Sequence, residues 1–106
     1  MSYIDLESIE EKELMPGFHG RFVHSDKMTF AYWRIEAGAS APVHDHPHEQ
    51  LVNILEGEFE LTVEGEKHIL TPGKVFVLPS NVPHGGKALT PCRILDVFHP
   101  VREDFR

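Results

Sequence analysis

Three histidines, His44, His46 and His48, lie within five positions, in a chain of 106 residues that holds eight histidines in all. Neutral imidazole is the commonest metal ligand in proteins. In an extended strand, residues i and i+2 point to one face, so His44-Asp45-His46 would set two imidazoles side by side. Gln50 lies four positions beyond His46 and returns to that face if the strand persists, although Pro47 interrupts strand pairing. His84 follows a distant turn and has to arrive from a neighbouring strand. These four residues are the candidate ligands of one divalent metal. Other readings of the cluster stay open. A His-x-His pair also suits a solvated loop, and Asp45 and Glu49 are rival ligands. Glu49 is the stronger rival, because carboxylates usually outrank amides as ligands, but its odd spacing from His46 turns it to the opposite face. His48 is expected behind the ligands or at the surface, and His19, His24, His68 and His99 at surface or structural positions.

The elements that must carry these residues read as β. Residues 1–16 form an acidic, mixed arm, helical for at most a turn, which Pro16-Gly17 ends. Phe18 to His24 reads as a strand, as does Met28 to Glu36 with its β-favouring Phe30, Tyr32, Trp33 and Ile35. Gly38 to Pro42 is a break. Gln50 to Glu56 and Glu58 to Val63 are strands joined at Gly57. In the second, Phe59, Leu61 and Val63 alternate with Glu58, Glu60 and Thr62, the pattern of one buried and one wet face. Glu64-Gly65 signals a tight hairpin into Lys67 to Leu70. Val75 to Leu78 is apolar on both faces, which predicts a strand enclosed within the sheet packing. Arg93 to Phe98 is the last strand, stopped by Pro100. Short strands punctuated by Gly and Pro every 8–12 residues or so describe a sandwich or barrel.

Composition narrows the function. The formal net charge is −7, with no compensating Lys/Arg run, which argues against nucleic acid and anionic membrane surfaces as partners. No apolar stretch is long enough to span a bilayer, and the first residues lack the basic and apolar regions of a signal peptide. The single cysteine, Cys92, cannot close an internal disulfide, so a reducing, cytoplasmic setting is expected.

The spacing resembles that of the cupin superfamily. Its first motif runs Gly, five residues, His-x-His, three or four residues, Glu, six residues, Gly. Here Gly38, His44, His46, Gln50 and Gly57 hold that frame across residues 38–57. The second motif runs Gly, five residues, Pro-x-Gly, two residues, His, three residues, Asn. Gly73, Pro79, Asn81, His84 and Ala88 fall on it across residues 73–88. Gln50 thus stands for Glu, Asn81 for Gly and Ala88 for the final Asn. Asn at a glycine position is tolerable because it also visits positive φ. The resemblance implies an all-β, single-domain cupin over residues 1–106, a double-stranded β-helix or jelly-roll barrel behind its short N-terminal arm. It also implies a metal held by His44, His46, Gln50 and His84. Zn, Ni, Mn and Fe all suit such ligands. A neutral ligand set leaves the metal its full charge, which favours an anionic substrate.

A narrower resemblance joins the His44 to Gln50 stretch with the tail from Asp96 to Phe105. Both are similar to the KdgF-type cupins of pectin and alginate breakdown, which convert 4,5-unsaturated uronates to linear keto sugars. The Asp-x-Phe-x-x-x-Arg pattern of those tails falls on Asp96, Phe98 and Arg102. The resemblance implies Asp96 as proton relay, Phe98 as a wall for the sugar and Arg102 as a fork for a carboxylate, with a small anionic carbohydrate as partner. A homodimer is expected, since the doubly apolar strand Val75 to Leu78 is compatible with dimerisation through sheet packing. Two other classes use the same barrel: Fe, Mn or Ni dioxygenases of the quercetinase or small-thiol type, and non-enzymatic metal- or sugar-binding modules.

Overall fold

The computed structural model describes residues 1–106. Its ten strands are β1 (Lys12–Met15), β2 (Phe18–His24), β3 (Thr29–Ile35), β4 (Ser40–His44), β5 (Glu49–Glu56), β6 (Phe59–Val63), β7 (Glu66–Leu70), β8 (Val75–Leu78), β9 (His84–Ala88) and β10 (Cys92–His99). Single 3-10 turns at Leu6–Ser8 and Glu103–Phe105 flank them.

The strands form two antiparallel sheets. One has six strands in the order β1-β2-β3-β10-β5-β8, the other four in the order β4-β9-β6-β7. Each sheet turns one face inward, as period-two alternation requires. On β3, Thr29, Ala31, Trp33 and Ile35 are buried, while Phe30, Tyr32 and Arg34 between them are only partly covered. Val52 and Ile54 of β5 and Ile94 and Phe98 of β10 share that inner face, and Phe59, Leu61, Leu70 and Ala88 oppose them from the smaller sheet. This is the all-β jelly roll that the two motifs imply. The β6–β7 hairpin closes on Glu64 and Gly65, with φ of 49° and 82°. Positive φ at both positions matches the right-handed twist of the paired strands.

Three strands lie where the local pattern is weak. β1 sits inside the expected arm, β4 begins inside the expected break and runs on to His44, and β9 lies at the end of the second motif. β4 contains Pro42 and lies at a sheet edge, where a missing N–H breaks no ladder. The expectation for Val75–Leu78 is corrected. It is not enclosed: β8 is the outer strand of the six-stranded sheet, and Val75 and Val77 are 53% and 57% exposed. Only Leu78, fully buried, and the partly covered Phe76 face the core.

Candidate active site

β4 ends at His44, and the chain bends before β5 begins at Glu49. His44 and His46 therefore do not sit on one strand, as the i, i+2 reading expects. They meet because the bend folds His46 back beside the end of β4. The bend is held by Asn81 of the second motif, whose backbone N–H donates to the His46 carbonyl at 2.8 Å. Asn81 adopts φ of 65°, the conformation expected at that glycine position. His84 opens β9 and is the cross-strand partner of His44. The ligand atoms of His44, His46 and His84 lie within 4.8 Å of one another.

The tautomers follow from the hydrogen bonds. His44 Nδ1 donates to Pro42 O at 2.9 Å, His46 Nδ1 to His48 O at 3.0 Å and His84 Nδ1 to Val82 O at 2.8 Å. A carbonyl can only accept, so each Nδ1 carries the proton and each Nε2 of the neutral ring a lone pair. Metal-ligating histidines are anchored in the same way. Gln50 Oε1 lies 3.0 Å from His46 Nε2. In this tautomer both atoms are acceptors, and a cation between them would satisfy both. Burial pushes the His46 and His84 pKa values down, and the nearby Arg102 charge adds to this. Both effects favour the neutral, ligating form. The donor set therefore fits a divalent metal.

The rivals point elsewhere. Glu49 and Asp45 are exposed, and neither joins the histidine group. His48 serves through its carbonyl, while its ring packs 5.5 Å from that of His46 and 6.4 Å from Phe98. Among the other histidines, His19 pairs with Glu36 at 2.7 Å and His24 Nδ1 meets Thr29 Oγ1 at 2.8 Å.

Gln50 and Phe98 are neighbours across the β5–β10 ladder, and Asp96 lies two residues along on the same inner face. Trp33 Nε1 donates to Asp96 Oδ2 at 3.0 Å. The other oxygen, Oδ1, is shut off from solvent and has no hydrogen-bond partner of good geometry. Desolvation raises the Asp96 pKa to about 7, with the Gln50 amide and the Trp33 N–H offsetting part of the rise. The residue as a whole is only partly covered, so it is the carboxyl group itself that water fails to reach.

Arg102 follows β10. Its backbone N–H donates to the buried Thr29 Oγ1 at 2.8 Å, and its guanidinium sits 4.8 Å from the Phe98 ring and 4.2 Å from that of Phe105. Its Nε and Nη2 donate to the two oxygens of Asp104 at 3.0 and 2.7 Å. His44, Gln50, His84, Asp96, Phe98 and Arg102 all line one cavity of about 450 Å³. Sequence reasoning missed Trp33, Asp104 and Phe105. Trp33 was open to detection, since a buried indole N–H needs an acceptor. Nothing local marks the other two.

A cupin-domain family model matches residues 31–98. The pectin degradation protein KdgF of Dickeya dadantii is 34% identical over 106 residues, covering 97% of this chain and 96% of that protein. The structure of KdgF from a Halomonas species superposes with a TM-score of 0.94 at 30% identity, over 100% of this chain and 99% of that one. An RmlC-like cupin from Shewanella frigidimarina gives the same TM-score and identity, over 100% and 96%. With the motifs, the jelly roll and the histidine group in agreement, this chain belongs to the cupin-domain family and, within it, to the KdgF-like proteins.

Proposed function

We propose that the chain is a metal-dependent, non-redox enzyme that converts 4,5-unsaturated uronates to linear keto sugars. One observation carries this reading: three neutral donors (His44, Gln50 and His84), a desolvated carboxyl and a stacked guanidinium all line one cavity. The similarity to proteins named for pectin degradation supports the substrate class.

The reaction needs only proton transfers. Opening the sugar hemiacetal moves the C1 hydroxyl proton to the ring oxygen and leaves an aldehyde and an enol. Ketonisation then adds a proton at C4 and removes the enol O–H proton, with no oxidant or reductant. Asp96, with its pKa near 7, can accept and return such protons at neutral pH. Phe98 walls the sugar, and Arg102 takes its carboxylate. His44, His46, Gln50 and His84 would hold a divalent ion such as Zn, Ni, Mn or Fe, which would supply Lewis-acid polarisation of a substrate oxygen.

Turnover of an unsaturated galacturonate by Zn-loaded protein under strictly anaerobic conditions tests the reading. Persistence of turnover is expected. Its loss without oxygen, together with substrate-dependent oxygen uptake in air, overturns it in favour of a dioxygenase. Elemental analysis of Gln50→Ala, His84→Ala and Glu49→Ala tests the ligands: the first two lose metal and the third retains it.

The reading includes a cytoplasmic homodimer. Cys92, buried and unpaired, suits a reducing compartment, and no helix is long and apolar enough to cross a membrane. On the outer face of the six-stranded sheet, Val23, Phe30, Val97, Leu51 and Val77 are successive cross-strand neighbours. Such a continuous apolar row is a self-complementary surface for a second copy.

A further inference from the structure

Arg102 offers two parallel N–H groups to Asp104, the two-point geometry in which a guanidinium takes any carboxylate. Both residues line the cavity. The two partners are held very differently. Arg102 is fixed without help from Asp104, by its backbone bond to Thr29 and by its place beside Phe98 and Phe105. Its side chain is 12% exposed. The Asp104 side chain is 59% exposed, and the one side chain it hydrogen-bonds is that of Arg102. The pair therefore joins an anchored cation to an accessible anion. Ion pairs with an exposed member are weak and give way readily to a competitor.

We propose that Asp104 occupies the Arg102 fork as a stand-in for the carboxylate of an acidic ligand, which must displace it on binding. The inference deepens the function proposed above and takes its ligand class, a sugar acid, from that reading. While the fork is filled, the cavity presents a neutral pair instead of a bare cation, so small inorganic anions gain little there. A sugar acid displaces Asp104 because it adds ring contacts and metal-site contacts to its carboxylate. A neutral sugar has nothing to place in the fork.

The experiment is calorimetric titration of the metal-loaded protein with galacturonate and with galactose. Both are saturated, so neither undergoes the proposed reaction. Asp104→Asn is expected to bind galacturonate about two- to fivefold more tightly than wild type, the range set by a weak exposed pair, with galactose binding unaltered. The gain disappears in an Arg102→Gln background. Glu103→Gln, whose native partner is Arg106 at 3.0 Å, controls for net charge and shows no gain. With an unsaturated uronate, the Asp104→Asn change in KM exceeds any change in kcat. Equal or weaker galacturonate binding by Asp104→Asn overturns the proposal, as does a gain that survives without Arg102. These titrations stand whether or not the unsaturated sugar is turned over, so failure of the reaction and failure of the Asp104 assignment are told apart.

Discussion

Asp96 links the proposed chemistry to the stability of the site. Its pKa is about 7 in the folded chain, against an ordinary value of 3.8. Between those values the native state holds a proton that the unfolded state has released, so stability from this group falls as pH rises, and the whole penalty is felt above pH 7. Asp96→Asn removes it. The variant is expected to be more stable than wild type at pH 8 by on the order of 2–4 kcal/mol, and so to unfold at higher temperature. The gap closes toward pH 4, as thermal scans of metal-free protein across that range can show. In the assay the same variant loses about two to four orders of magnitude in kcat, the usual share of a general acid-base group. Trp33→Phe acts in the other direction on the titration. The indole N–H stabilises the ionised carboxylate, so its loss moves the Asp96 limb of the pH–rate profile to higher pH.

At the scale of elements, the tail after β10 decides whether the cavity has a wall. Thr29, fully buried on β3, accepts the Arg102 N–H, and Phe105 packs 4.9 Å from Phe22, 6.1 Å from Trp33 and 5.6 Å from Phe98. Thr29→Val keeps the shape of the side chain and strands a buried N–H, at about 1–3 kcal/mol. Phe105→Ala removes the ring that Arg102 rests on. Both variants are expected to unfold at lower urea concentration than wild type and to raise KM for an acidic sugar through a misplaced Arg102. A Thr29→Val protein with wild-type KM would falsify the idea that this anchor positions the guanidinium.

At the scale of the molecule, the donor group spans both sheets. His44 and His84 belong to the four-stranded sheet and Gln50 to the six-stranded one, with His46 on the link between them. A metal there would cross-link the two layers and bind the native state in preference to the unfolded one. A ligand at 100 times its Kd stabilises by about 2.7 kcal/mol. Chelation is therefore expected to lower the melting temperature of wild type and to leave that of His84→Ala unmoved. The apolar row on the outer face gives a second prediction at this scale. Val97→Lys or Val77→Asp should convert a dimer to a monomer in light scattering, with the far-ultraviolet dichroism of the sheets retained. Wild-type protein that runs as a monomer would remove that assignment.

The amino-acid order alone determined the features that rest on local rules. Alternation in Phe59 to Val63 reports a half-buried strand, Glu64-Gly65 a turn that needs positive φ, and the spacing of His44, His46, Gln50 and His84 a shared frame. Those are properties of period and dihedral, which neighbouring residues set. What lay outside it depends on register and on the approach of distant strands. The bend that carries His46 beside His44 is tied by Asn81, thirty-five positions away. The Trp33–Asp96 bond needs β3 and β10 to be paired in one particular register. The exposure of Val75 and Val77 follows from the edge position of β8, which a run of apolar residues does not reveal. The Asp104 carboxylate meets its partner only because Thr29 and Phe105 first pin the tail. Composition and spacing thus offered candidate donors, and the tertiary structure set the tautomers of the three histidines, shut the Asp96 carboxyl off from water and filled the Arg102 fork.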